Sequence, residues 1–300
     1  MRTKTYLFAL MAMALTLGSC SDNENGIGGE TSKYITVSTS IGNMTRVATD
    51  ANGGQTFEEG DEISVYAWTG APTVAPETSE RVVNNAINKL TNGSWVATPQ
   101  MLWKNNRDKH YFIGVYPVSA ISDLSAGEYT FDETKQVESD LLVAVNADGL
   151  SYNADEQQTV PLTFTHVMSK LAVNLAYKNQ WGGIPTVEKV VVGNAAKEAT
   201  INYLTKVVTP STTAKEDFSL PEITENTKYV SVIIPQEDVK QLTIVIGGKN
   251  FVYDNGTPFK LESGKITTVN LEVGRDEIKL GDVKITDWED GSTFSGEALN

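Results

Sequence analysis

The stretch Arg81-Val82-Val83-Asn84-Asn85-Ala86-Ile87-Asn88-Lys89-Leu90, followed by Thr91, Asn92-Gly93 and Ser94-Trp95-Val96-Ala97, decides the fold class. Asn-Gly between two strand-like runs is the strongest short hairpin signal, because both residues tolerate the positive φ of a tight primed turn. Taken alone, residues 86–89 also suit a helical turn. Outward from this hairpin, period-two patterns dominate. Ile35, Val37, Thr39 and Ile41 share one face of a first strand, and Ile63, Val65 and Ala67 one face of the next. Tyr111-Phe112-Ile113-Gly114-Val115-Tyr116 reads as a buried strand that Pro117 ends, with shorter strands at 129–131 and 141–144. Around residues 146–158 the composition turns polar and apolar periodicity is lost, which places a domain boundary there. A second run of strands follows at 160–164, 171–175, 187–192, 200–203, 229–234, 242–246, 251–253 and 266–273, with Gly247-Gly248 and Asn255-Gly256 as turns. A slip near Thr267-Thr268 suggests a bulge. Helix is scarce, with one helical turn expected at His166-Val167-Met168-Ser169-Lys170. The prediction is an all-β chain of two antiparallel β-sandwich domains with short helical turns, spanning residues 33–155 and 156–300.

The N-terminus reads as an export device. Arg2 and Lys4 precede an apolar run of 12 residues, 6–17, too short for the roughly 20 residues that cross a bilayer. Cys20 is the one cysteine in 300 residues, so no intrachain disulfide can form. Behind Leu17-Gly18-Ser19 it resembles the bacterial lipobox, in which the thiolate accepts a diacylglyceryl group after residues 1–19 are recognised as a signal peptide. Several fatty-acyl chains such as palmitate anchor stably where one does not. An incidental cysteine behind an ordinary cleaved signal is the alternative. Residues 21–32 hold three glycines, three acids and one apolar residue, a flexible tether. Removing residues 1–19 leaves 22 basic residues against 38 acidic ones, a formal net charge of −16. Such a surface repels phosphate backbones, so nucleic acid is not an expected partner.

Catalytic and metal-binding patterns are weak. His110 and His166 lie in different predicted domains, without neighbouring cysteine or helical ligand spacing, so no metal is expected. His166 reads as a semi-buried hydrogen-bonding residue at a strand end. Glu58-Glu59-Gly60-Asp61-Glu62 and Asp287-Trp288-Glu289-Asp290 lack the alternating ligands of a calcium loop and read as solvated turns. There is neither a Gly-x-Ser-x-Gly elbow nor a phosphate-binding Gly-x-x-x-x-Gly-Lys-Ser/Thr loop, so no enzyme activity and no cofactor are expected. The five tryptophans, Trp68, Trp95, Trp103, Trp181 and Trp288, support an alternative function, a glycan-binding outer-membrane surface lipoprotein, if they form exposed platforms. Core packing is the other reading.

Seven stretches in order resemble the fimbrillin family, the lipoprotein subunits of type V pili. They are Phe57-Glu58-Glu59-Gly60-Asp61-Glu62-Ile63-Ser64-Val65-Tyr66, Tyr111 to Pro117, Asp140-Leu141-Leu142-Val143-Ala144, Leu162 to Leu171, Ile234-Pro235-Gln236, Leu261 with Gly264-Lys265-Ile266-Thr267-Thr268-Val269, and Ile285-Thr286-Asp287-Trp288. The resemblance implies transthyretin-like sandwiches and export to the outer membrane. It also implies a structural or adhesive role in a surface pilus (fimbrium), stalk, anchor or tip. Implied partners are other pilus subunits in a homo- or hetero-polymer, the outer membrane through a lipid anchor, and a host or bacterial surface ligand in cell adhesion. It further implies proteolytic processing between Arg46 and Val47, with loss of the first strand and its replacement by a neighbour's strand. Strand replacement has a plain physical basis: excision leaves unpaired backbone and an apolar trench, which β-augmentation restores. Arg46 as a solvated loop residue is the alternative. Residues 278–285 have a strand-like pattern and are the candidate donor.

Overall fold

In the computed structural model, which describes residues 33–42, 57–156, 158–254 and 256–288, the hairpin forms as the sequence predicts. With strands numbered in chain order, β3 (Val83–Thr91) pairs antiparallel with β4 (Ser94–Thr98), and Thr91 lies opposite Ser94. Asn92 and Gly93 have φ of 52° and 73°, the left-handed pair of a primed turn. Residues 86–89 are strand. Glu59 caps this turn from outside, accepting the Asn92 N–H at 2.7 Å and the Gly93 N–H at 3.4 Å. The acidic run 58–62 is therefore a turn that braces a second turn, and Lys89 pairs with Glu62 across the strands.

The hairpin belongs to a seven-stranded sheet. Its other members are β1 (Thr36–Ile41), β2 (Glu62–Thr69), β5 (His110–Tyr116), β7 (Leu142–Leu150) and β8 (Thr159–His166), in the order β1-β8-β7-β5-β2-β3-β4. Central strands are apolar on both faces because both are covered. Ile63, Val65, Ala67, Phe112, Leu142 and Ala144 join one buried cluster, while Tyr66, Trp68, Ile113, Val115 and Val143 join another. Continuous burial, not a solvated second face, explains the unbroken apolar run 111–116.

Three further sheets account for the remaining strands among the described residues. β6 (Gly127–Thr130), β11 (Glu198–Asn202) and β12 (Val207–Pro210) form one, in the order β12-β11-β6. Another runs β14-β15-β9-β18-β19, from β9 (Ser169–Tyr177), β14 (Glu222–Thr224), β15 (Lys228–Ile233), β18 (Lys265–Val273) and β19 (Ile278–Asp287). The last is β13-β10-β16-β17, from β10 (Val187–Ala196), β13 (Lys215–Ser219), β16 (Gln241–Ile246) and β17 (Lys249–Asp254). Leu171, Val173, Val269 and Leu271 share an apolar cluster with Val190, Val192, Leu242 and Ile244.

Several expectations are revised. β7 runs through the polar stretch to Leu150, because half-buried Asn146 and exposed Ala147 and Asp148 lie in the solvent-facing part of a strand whose ladder to β5 continues to Leu150. β8, placed after the expected boundary, pairs with β1 and β7 and so belongs to the first sheet, which ends at His166. Among the described strands, two pairings, β1 with β8 and β18 with β9, are parallel and the others antiparallel. Between β8 and β9 there is no helical turn: Val167 and Met168 are buried and connect the strands directly. The described helical turns are instead the 3-10 segments Thr78–Glu80 and Asn179–Trp181. At Thr267-Thr268 the ladder is regular. Ile266 is buried on the opposite face from Thr267, Val269 and Leu271, and the register shift in β18 falls between Asn270 and Leu271.

Candidate functional site

Cys20, Arg46 and Val47, the lipidation and processing candidates, lie outside the described residues. What the structure does place is β1, the strand between them. β1 forms an outer edge of the seven-stranded sheet, in parallel register with β8 from Thr36 opposite Thr159 to Ile41 opposite Phe164. Its period-two pattern sets Ile35 and Val37 into the cluster of Ile63, Val65, Phe112, Leu162 and Phe164, with Ile41 packed against it. Backbone bonds extend the seat at both ends. The Ile35 N–H donates to the Met101 carbonyl at 2.9 Å, the Trp103 N–H to that of Lys33 at 3.2 Å, and the Gly42 N–H to that of Phe164 at 2.8 Å. On the outer face Thr36 meets Thr159 at 3.2 Å and Ser40 meets Thr163 at 3.1 Å through their hydroxyls.

The opposite edge of the sheet curls toward β1. From β4, Trp95 Nε1 donates to Thr39 Oγ1 at 3.0 Å. A cavity of about 600 Å³ lies along this side, lined by Ser38, Thr39, Ile41, Phe57, Leu90 and Trp95 among others, none of them ionisable. Phe57 closes the inner side, its ring edge-on to Trp95, Tyr116 and Phe164 at 5.2–5.4 Å. Exposed edge strands are commonly blunted by charge or proline. The outward residues of β1, Thr36, Ser38 and Ser40, carry neither, so the seat is built from backbone pairing and shape, without electrostatic guards.

The histidines separate. His110 is fully buried, opening β5: its Nε2 accepts the Lys104 N–H at 3.0 Å, its Nδ1 lies 3.1 Å from the Asp108 carbonyl, and its ring meets Trp103 edge-on. Burial holds its pKa below the ordinary 6.5, against the opposing pull of Asp108. His166, at the end of β8, is buried more deeply than its sequence suggests. Its Nδ1 lies 2.7 Å from Asp140 Oδ1 and its ring stacks on Trp288, with centroids 4.1 Å apart at 10°. Lys170 Nζ sits 4.2 Å from the Trp288 ring centroid. Three of the stretches quoted above thus meet at one point, which nothing in their spacing foretells. Among the described residues, no three His, Cys, Asp or Glu side chains gather as a metal-binding group. Trp68, Trp103 and Trp288 are buried and Trp95 and Trp181 half-buried. They serve the cores, and the exposed aromatic platform that glycan binding requires is not formed by them.

The fold and the β1 seat define an all-β protein of several sheets, completed at one edge by the first of its described strands. The chain belongs to the fimbrillin-like family, whose model matches residues 45–288. Similar solved structures include a candidate cell adhesion protein from Bacteroides ovatus, with a TM-score of 0.62 at 18% identity over 87% of this chain and 99% of that one. A candidate cell adhesion protein from Bacteroides uniformis gives 0.62 at 19% over 86% and 100%. A fimbrial protein from Bacteroides vulgatus gives 0.52 at 13% over 84% and 99%. At these identities the likeness is one of fold. No curated protein matches the chain by sequence.

Proposed function

We propose that the chain is a structural or adhesive subunit of a cell-surface pilus, carried to the outer membrane as a lipoprotein through Cys20 and assembled by strand exchange at the β1 seat. The observation that carries this reading is β1 itself: an uncharged edge strand with two buried apolar anchors, Ile35 and Val37, ending a few residues before Arg46. Membership of the fimbrillin-like family supports the pilus role, as do similar folds in proteins described as fimbrial or adhesive. Cleavage between Arg46 and Val47 would release β1 and leave the β8 edge and its apolar bed for an extended strand of another subunit, in a homo- or hetero-polymer. The body is proposed as two transthyretin-like sandwiches divided at the β8–β9 connection, and its adhesive ligand as a host or bacterial surface. In this chain the candidate donor at 278–285 is paired as β19 with β18, so donation from it requires detachment first.

Mass spectrometry of the protein recovered from cell-surface fibres tests the proposal. Fibre-incorporated molecules are expected to begin at Val47, and Arg46→Ala to stay unprocessed and outside the fibre. Residues 33–44 intact on every incorporated molecule would sink the exchange at this seat.

A further inference from the structure

We propose that the cavity between the β5–β6 connection and β6 binds an organic cation, an amine or guanidinium carried on an apolar stem. The cavity holds about 640 Å³, within the roughly 300–1,000 Å³ of small-molecule sites. Its walls are fixed from behind. Pro117 ends β5, and the chain that follows is tied to the first sheet and its flank at three points. Ser64 Oγ accepts the Ser119 N–H at 2.9 Å, the Tyr66 hydroxyl accepts the Ile121 N–H at 2.9 Å, and Arg81 donates to the Ile121 and Ser122 carbonyls at 2.6 and 2.5 Å. On the other side the Tyr129 hydroxyl donates to the Ser139 carbonyl at 2.6 Å, which steadies the segment that carries Glu138. A ligand therefore meets a site that it does not have to order.

Two independent features name the occupant. The first is Tyr203, from the turn between β11 and β12. It is 2% exposed, and its ring comes close over β6 because Gly127 has no side chain: a Cβ there would lie 2.5 Å from Tyr203 Cε2. Among the described residues the Tyr203 hydroxyl has no hydrogen-bond partner, yet it is not sealed from solvent. Burial raises its pKa above the ordinary 10, so it stays neutral with an oxygen free to accept a hydrogen bond. A phenol at this depth is ordinarily paired, and the cavity that it lines is where a partner can reach it.

The second feature is charge. Glu128 and Glu138 both line the cavity, neither forms an ion pair among the described residues, and no Lys, Arg or His lines it. A cleft of one sign with apolar walls focuses its field and draws the opposite charge. Val118, Ile121 and Leu141 supply those walls and a bed for an aliphatic stem. A metal ion fits less well, since these two carboxylates have no third His, Cys, Asp or Glu gathered with them. A neutral sugar would find no indole platform, because none of the five tryptophans lines the cavity. None of the lining residues belongs to β1, so binding here is independent of the strand exchange proposed above.

Calorimetric titration of the mature chain carrying Cys20→Ser, at low salt, tests the site. The probes are a capped tripeptide with a central lysine, cadaverine as a free amine, the same tripeptide with norleucine in place of lysine, and lactose. Both cations are expected to bind at millimolar concentration or below with one-to-one stoichiometry, and both neutral probes to bind far more weakly. A lysine peptide tighter than cadaverine identifies the ligand as a side chain of a partner protein, and the reverse order identifies a free amine. Glu128→Gln and Glu138→Gln should each weaken cation binding about threefold to tenfold, because a charge-assisted hydrogen bond is lost. Tyr203→Phe, which removes only the hydroxyl, should weaken it about fivefold while leaving the melting temperature of the free protein unchanged, since that hydroxyl bonds no protein group. Both glutamates are exposed, so their substitution leaves the fold intact even where Tyr203→Phe does not. Absence of binding by both cations overturns the proposal, as does equal binding of the norleucine peptide or lactose, or an affinity unchanged in all three variants.

Discussion

Gly114 shows how a residue in an apolar run can be set by a strand far from it in sequence. It lies in β5, where a Cβ would sit 2.6 Å from Phe164 Cζ and 3.1 Å from Leu162 Cδ1, both carried by β8. Glycine weakens a strand interior by itself, so its presence marks a close approach. Phe164 fills the space over Gly114 and packs edge-on to Phe57, which links β5, β8 and the β1 seat. Gly114→Ala is expected to destabilise the protein by about 1–3 kcal/mol through overpacking, read as a lower urea midpoint at an unchanged slope. An added Phe164→Leu should recover part of that loss, and simple additivity of the two substitutions would refute the contact as its cause. From the sequence, Gly114 is legible as strand but its reason is not, because the partner that needs the space is two strands away in the sheet.

Among the elements, β1 was the most legible. Alternation predicts its inward face, and Ile35 and Val37 are the buried pair. Its neighbour and direction were not legible: a parallel pairing with β8 depends on the path of all the chain between them. Six ladder positions at about 1 kcal/mol each and two buried aliphatic side chains at about 2 kcal/mol each give β1 a gross contribution of roughly 10 kcal/mol, before the entropy of ordering it. A chain beginning at Val47 is therefore expected to be markedly less stable than one beginning at Lys33. A synthetic peptide of residues 33–42 should restore the melting temperature and shift the fluorescence of Trp95, which bonds Thr39. The same peptide with Val37→Lys should do neither. Equal stability of the two chains would remove β1 from the core. The strands β12, β13 and β14 escaped detection for the opposite reason: they are three to five residues long and mostly exposed, so they carry little periodicity.

At the scale of the whole molecule, the first sheet does not bury its far face alone. Tyr66, Trp68, Ile113 and Val115 belong to the same apolar cluster as Leu171, Val173, Val269 and Leu271, and β6 pairs with β11 across the sequence. All described residues fall in the compact unit Thr31–Asn300. One cooperative unfolding transition is expected, with tryptophan fluorescence and far-ultraviolet circular dichroism tracing the same denaturant curve. Trp68, Trp95 and Trp103 report from the first sheet and its surroundings, Trp181 and Trp288 from the later strands. Two separated transitions would mean that this shared core does not couple the halves.

That the protein is all-β, where its principal strands lie, which turns are tight and which family it joins can all be read from local sequence. Those properties rest on nearest-neighbour chemistry: alternation along a pleat, positive φ at Asn92-Gly93 and Gly247-Gly248, and short motifs that keep their spacing. Long-range packing is what places β8 in the first sheet, lays β1 parallel to it, and gathers Asp140, His166 and Trp288 into one buried cluster with Lys170 beside it. Strand partners are selected by the packing of faces and edges between segments distant along the chain, and a one-dimensional pattern specifies which face is apolar without specifying what will cover it.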